Sequence, residues 1–314
     1  MIPIADTILL FKEIIMPDTI QKENLYQENR IHSSTLVPFS YYESRIPDYF
    51  PYVSLHWHRE FEINFIRSGQ SRFIVGDNQF TAETGDIIII QPNMLHAVYQ
   101  YENSTQIYDT VVFCATLLRG AAVDRSMRNY IEPLINGSLT IPARISVSHE
   151  RYSELRSCIE HIVTYAQKNT ALHDLFLKSA LFYLFALLAD FGILQHNSRC
   201  RSTQSEIIRP AIEYINDHYN EKLTIAQLAK VSSLSKSYFM YCFRKYAGIS
   251  AIEYINQLRI KTACELLTAG DRTISEIAYT CGFSNLSNFN RQFRSQTGLS
   301  PTELRNGSKI TCTS

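Results

Sequence analysis

The sequence has 314 residues, 45% of them hydrophobic, with 30 basic and 30 acidic side chains. That length favours two domains over one, and the composition is that of an ordinary soluble globular protein, not of a low-complexity or strongly charged chain. The charge is uneven: residues 205–314 carry 13 Lys/Arg against 9 Asp/Glu, a net +4 that the preceding residues balance with −4, so the C-terminal third is the part suited to a polyanion.

Seven cysteines (Cys114, Cys158, Cys200, Cys242, Cys264, Cys281 and Cys312) are scattered and never stand in a CxxC spacing. Neither a disulfide framework nor a zinc ribbon is indicated, and a reducing cytoplasm is the expected compartment. The opening MIPIADTILLFKE has no basic n-region and no small-residue cleavage site, so no signal peptide is expected.

Residues 35–115 predict short strands. EINFIRSG, SRFIVGDNQFTA, GDIIIIQP, HAVYQY and YDTVVFCA are rich in Ile, Val, Phe and Tyr, with Gly, Asn and Asp between them. That spacing predicts an antiparallel β-barrel over 1–148.

Within it, SLHWHREFEINFIRSG supplies His56, His58, Glu62 and Gly69, followed by Gly85 and His96. The spacing is similar to the two motifs of cupin enzymes, whose three imidazoles and one carboxylate suit iron, manganese, nickel or zinc. The match is incomplete. Phe50 stands where the first motif begins with glycine, Gln91 and Asn93 stand where the second has proline and glycine, and Pro92 comes one position late.

After residue 148 the period changes. Tyr152, Leu155, Ile159, Ile162 and Ala166 recur at threes and fours, the stripe of a helix packed on another. A second helix over 171–191 is apolar on nearly every side, and its run ALFYLFALLA is too short to span a membrane. Residues 149–195 thus predict a helical connector, used either for packing inside the domain or for a homodimer. HNSRCRSTQSE, 196–206, reads as a linker.

Beyond the linker one skeleton occurs twice. Ile225, Leu228, Ala229, Phe239, Phe243, Gly248 and Ser250 match Ile274, Ile277, Ala278, Phe289, Phe293, Gly298 and Ser300. Each copy parses as helix, tight turn, helix, with Thr224 and Thr273 capping the first helix, Ser235 and Ser284 the second, and glycine ending it. AIEYINQLRIKTACELLTAG joins the copies, so two recognition helices can reach successive major grooves.

On EYINQLRIKTACELL and ISEIAYTCGFSNLSNFNRQFRSQTGLSPTELR, residues 207–305 resemble the DNA-binding domain of AraC-type transcription factors. The fold expected is α+β and multidomain: a cupin-like antiparallel β-barrel, then helices, then an all-α domain with two helix-turn-helix units, and a tail at 306–314. The resemblance implies an activator or repressor, not an enzyme, with double-stranded DNA, a small-molecule effector such as a sugar, a second copy of the chain and RNA polymerase as partners.

By that resemblance the DNA-facing residues are Lys236, Ser237, Met240, Tyr241 and Arg244 in the first recognition helix. In the second they are Asn285, Leu286, Ser287, Asn288, Arg291 and Arg294. Arg291 is the leading candidate for a bidentate guanine contact, while Lys236, Arg244, Lys245 and Arg294 suit phosphates. Met240 and Tyr241 depart from the polar residues often found there, which points to a positioning role for the first helix. Arg259 in the connector is expected to brace the two subdomains.

The resemblance also turns the histidine motif toward effector recognition, with His56, Trp57, His58, Glu62, Arg72 and His96 as pocket residues and no resident cofactor. A divalent metal on His56, His58, Glu62 and His96, in a cupin enzyme carrying an appended DNA-binding module, is the competing reading.

Overall fold

The computed structural model describes residues 37–48, 50–118, 124–168, 170–196, 204–270 and 272–310. Residues 197–203 of the expected linker, with Cys200 and Cys312, lie outside these. Among these, residues 50–54 and the chain from Ile207 on fall in one compact unit, and residues 37–48 with Leu55–Glu206 in the other.

The first unit holds two antiparallel sheets. One has strand order β1-β8-β3-β6-β10, from Phe39–Ile46, Gln106–Phe113, Phe61–Ser68, Ile87–Ile90 and Arg144–Ile145. The other has order β2-β7-β4-β5, from Tyr52–His56, His96–Gln100, Ser71–Val75 and Asn78–Ala82. The expected barrel is therefore two facing sheets, with no hydrogen-bonded closure among the described strands. β1 and β2 extend the strand set beyond the five segments singled out by composition. A small pair, β9 (Leu139–Thr140) and β11 (Gln195–His196), completes the unit.

Alternation divides the larger sheet into two faces. In β3, Phe61, Ile63 and Phe65 point to one side with Val111 and Phe113 of β8 and Ile87 and Ile89 of β6. These join Leu155, Ile159 and Ile162 of α1 (Tyr152–Ala166) and Leu177, Leu181, Leu184 and Phe185 of α2 (Ala171–Asp190) in one core. The rings of Phe113 and Phe185 both lie within 5.6 Å of Phe61. The apolar stripe of α1 is therefore consumed inside the domain.

The second helix is less fully covered. α2 spans 20 residues with a window of mean hydropathy 1.5, longer than its central run alone. One face is buried on the sheet, while Leu172, Leu175, Phe176, Phe182 and Tyr183 are exposed.

The second unit is all helical: α3 (Arg209–His218), α4 (Ile225–Val231), α5 (Lys236–Ala247), α6 (Ala251–Ala269), α7 (Ile274–Thr280), α8 (Leu286–Thr297) and α9 (Pro301–Ile310). Thr224 and Thr273 form full capping boxes on α4 and α7 with Gln227 and Glu276. Phe239 and Phe243 of α5, and Phe289 and Phe293 of α8, are fully buried. Gly248 and Gly298 end these two helices at φ 74°, a left-handed conformation natural to glycine.

Candidate effector site and nucleic-acid interface

The inner face of β3 carries Glu62, Asn64 and Ile66, opposite Val112, Thr110 and Tyr108 of β8. Facing them from the smaller sheet, His96 begins β7 in register with Val75, on the same side as Phe73. The Phe73 and Tyr108 rings meet at 6.0 Å between the sheets.

This geometry brings His56, His58, Glu62 and His96 together, with one ligand atom from each lying within 4.8 Å of all the others. The His56 and His96 rings are 4.0 Å apart, and those of His58 and His96 4.9 Å. His58 Nε2 is 3.0 Å and His96 Nε2 3.6 Å from Glu62 Oε2. Burial opposes ionisation of Glu62, but the closeness of the His58 and His96 rings outweighs it and holds its carboxyl well below the ordinary range.

The second oxygen of Glu62 accepts from Asn64 Nδ2 at 2.7 Å, Asn64 Oδ1 accepts from Thr110 Oγ1 at 2.7 Å, and Thr110 Oγ1 lies 3.2 Å from Ser44 Oγ. A chain of polar side chains thus runs through the interior. Asn64, Thr110, Ser44 and Tyr108 were not among the residues the sequence pointed to, although Asn64 follows Glu62 by two and so shares its face. Burial, with the Glu62 charge nearby, pushes the Tyr108 hydroxyl well above its usual range and keeps it neutral.

Two expected pocket residues stand apart. Arg72 pairs with Tyr99, one residue out of phase with Phe73, so alternation turns it to the opposite face from His96, where its guanidinium lies 5.1 Å from the Tyr99 ring. Trp57 belongs to the buried core.

The departures from the cupin pattern have local causes. Asn93 takes φ 63°, the left-handed conformation that asparagine tolerates better than most residues, and its N–H donates to the His58 carbonyl. Gln91 is buried and ties Leu134, Leu139 and Ile141 to the end of β6. Gly69, at φ +78°, leaves no room for a Cβ, which would lie 1.9 Å from the Thr105 carbonyl oxygen. A separate cleft of about 360 Å³ lies between Pro142–His149 and Phe191–Gln195, and its lining includes none of His56, His58 and His96.

In the helical unit, Lys236, Ser237, Met240, Tyr241 and Arg244 are all exposed on α5, as is Tyr238, which the sequence reading passed over. Tyr238 and Tyr241 stack at 6.3 Å, and Lys245 Nζ lies 5.9 Å from the Tyr241 ring. On α8, Leu286, Ser287, Arg291 and Arg294 are exposed and Asn288 is half-buried. Neither helix contains an acidic residue.

Ser284 does not cap α8. Asn285 does, accepting from the Asn288 N–H at 2.8 Å. The turn before α8 is one residue longer than its counterpart: the left-handed residues Ser233 and Gly282 both stand second after their first helix, but Gly282 precedes its cap by three residues and Ser233 by two. The Asn285 side chain is thereby committed to its own helix, whereas Asn288 Oδ1 accepts from Arg291 Nη2 at 2.9 Å and orients that guanidinium.

Arg259 Nε and Nη2 donate to the carbonyls of Tyr219 and Glu221 at 2.6 and 2.7 Å, and its guanidinium lies 5.6 Å from the Phe283 ring. It joins the segment after α3 to the second helix-turn-helix, the bracing role expected of it.

Residues 37–185 match the family model described as an AraC-like ligand binding domain, and residues 228–307 match a helix-turn-helix domain. An uncharacterized HTH-type transcriptional regulator of Bacillus subtilis, YdeC, is 22% identical over 92% of this chain and 99% of its own length. The raffinose operon transcriptional regulatory protein RafR of Pediococcus pentosaceus is 25% identical over 84% of this chain and 90% of its own. Among solved structures, ToxT of Vibrio cholerae O395 aligns with a TM-score of 0.42 and 16% identity over 86% of this chain and 98% of its own.

Proposed function

The chain belongs to the AraC type of transcriptional regulators, and from that premise we propose that a small polar effector, bound between the two sheets, sets how its helical unit engages operator DNA. The observation that carries this is the polar chain His96, Glu62, Asn64, Thr110 and Ser44, which converges on the interior of a domain matched to ligand-binding domains. Buried polar groups are costly unless hydrogen-bonded, and a few of them fixed in an apolar shell give orientation to a ligand.

A saccharide or a related polyhydroxylated metabolite is the effector class we favour, since hydroxyl groups match the amide, hydroxyl and carboxylate side chains on this face. A relative named for a raffinose operon supports that choice. Relatives that are transcriptional regulators along nearly their whole length support a sensor over a catalyst.

On DNA, α8 supplies base contacts through Arg291, with Asn288 holding it, and Arg294 takes phosphate. The first helix, through Lys236, Arg244 and Lys245, mainly positions the protein, while Tyr238, Met240 and Tyr241 make apolar contacts to thymine methyls or sugars. The exposed face of α2 packs on the same face of a second copy, giving a homodimer that works in the cytoplasm and meets RNA polymerase at its promoters.

The test is a DNA-binding titration of the full chain against mono- and oligosaccharides. Our reading expects one of them to change the dissociation constant at least severalfold, since an effector shifts a two-state equilibrium only by its differential affinity. It also expects Asn64→Ala to abolish the response while leaving DNA affinity without effector unchanged. Unaltered DNA binding across the panel would sink the saccharide assignment.

A further inference from the structure

We infer that His56, His58, Glu62 and His96 bind one divalent ion of the first transition row. The inference deepens the effector-pocket reading above, and rests on it for what the ion does there, not for whether it binds.

His58 Nδ1 faces the Glu60 carbonyl at 3.1 Å while its Nε2 faces Glu62 Oε2 at 3.0 Å. His96 Nδ1 faces the Met94 carbonyl at 2.8 Å, and its buried Nε2, 3.6 Å from the same carboxylate oxygen, has no hydrogen-bond partner. A neutral imidazole has one donor and one acceptor. With the donor at Nδ1 turned to a backbone carbonyl, each Nε2 presents a lone pair to a carboxylate that also presents lone pairs. A single added proton would bridge His58 to Glu62 and still leave His96 Nε2 without a partner. A cation placed among the four side chains satisfies all of them at once.

Three further features fit an ion. Ligand atoms about 2.1 Å from a common zinc-like centre stand roughly 3 to 4 Å from one another, so in a set within 4.8 Å the widest pair needs to close by about 1 to 2 Å. The Nδ1 contacts to backbone carbonyls are the outer support that fixes tautomer and ring orientation in metal-binding histidines. Glu62 is held likewise, its other oxygen accepting from Asn64, which in turn accepts from Thr110. Three nitrogens and one carboxylate oxygen suit zinc, iron(II), cobalt, nickel or manganese, and leave coordination positions for oxygen donors of an effector such as vicinal hydroxyls.

The full chain, stripped with chelator and given Co²⁺ or Zn²⁺ alone, provides the test. About one ion per chain should survive gel filtration, and Co²⁺ should give visible d–d absorption. Glu62→Gln and His96→Ala should each lose the absorption and weaken binding at least about tenfold, and Asn64→Ala should weaken it by roughly 10- to 100-fold as a positioning residue. Far-UV circular dichroism and DNA affinity at low salt identify variants that still fold. Should one not fold, His56→Gln takes its place. Substoichiometric binding to the unaltered chain, or binding unchanged in the folded variants, overturns the inference. An ion that binds as expected while DNA affinity ignores both ion and saccharides upholds the site and refutes the sensor reading instead.

Discussion

At the scale of single residues, the recognition helices separate into residues that read and residues that hold. Arg291 is exposed and oriented by Asn288, so Arg291→Ala should cost about 1–3 kcal/mol of specific affinity, a loss typical of one bidentate base contact. Binding to random-sequence DNA should hardly change, which competition titrations with specific and random duplexes would show. Lys245→Ala should instead weaken binding to all sequences alike and lower the salt slope by about 0.9. Equal losses on both DNAs for Arg291→Ala would mean that it touches only phosphate. Much at this scale was legible in sequence, because the duplicated skeleton fixed which side of each helix is buried. The cap at Asn285 was not, since Ser284 and Asn285 are both good capping residues and only the longer turn through Gly282 decides between them. Arg72 stands one residue out of phase with Phe73, so strand alternation by itself separates it from the pocket face once Phe73 is placed inside.

At the scale of elements, the helical unit rests on its caps. Backbone N–H groups of Ser250, Thr273 and Ser300 bond the carboxylates of Glu253, Glu276 and Glu303 and hold each below its ordinary value. A carboxylate whose pKa is depressed on folding stabilises the fold above its unfolded value, here 4.5, and that contribution disappears as pH falls through the folded value. The urea midpoint of this unit should therefore drop between pH 6 and pH 3. Glu253→Gln, Glu276→Gln and Glu303→Gln together should flatten the drop. Thr273→Ala should cost about 1 kcal/mol at pH 7. Gly282 has a stricter requirement, because at φ +84° an added Cβ would lie 2.6 Å from the Asn220 carbonyl oxygen. Gly282→Ala should lower the melting temperature and weaken a two-part operator more than a half-site, as measured by calorimetry and by titration of the two DNAs. For α2, apolar residues on nearly every side were visible in the sequence. Which side would be covered was not, because that depends on its packing against α1 and the shared core, which buries Leu177, Leu181 and Leu184 and leaves Leu172, Leu175 and Phe176 outside. Sedimentation of Leu175→Glu/Phe176→Glu at micromolar concentration should show monomers where the unaltered chain shows dimers. Dimers in both would move the interface elsewhere.

At the scale of the whole molecule, the chain pairs a sensor domain with a duplicated DNA reader. The reader announces itself in sequence because helical periods, caps and glycine stops are local and occur twice. The interior polar chain of the sensor is assembled from four strands, so only the His56, His58, Glu62 and His96 spacing was visible beforehand, while Asn64, Thr110 and Ser44 needed the register of β1, β3 and β8. α6, with 19 residues, spans about 28 Å at 1.5 Å per residue, of the order of one turn of DNA, and Arg259 and Gly282 lock it to both helix-turn-helix units. The central claim is thus that one chain reads two major-groove segments at once. Selection of bound sequences from random DNA, followed by footprinting of the winners at two salt concentrations, tests it most directly. Two protected segments about one helical turn apart on one duplex, weakening together as salt rises, are the predicted result. A single protected segment, or a pool from which no sequence is enriched, would contradict it.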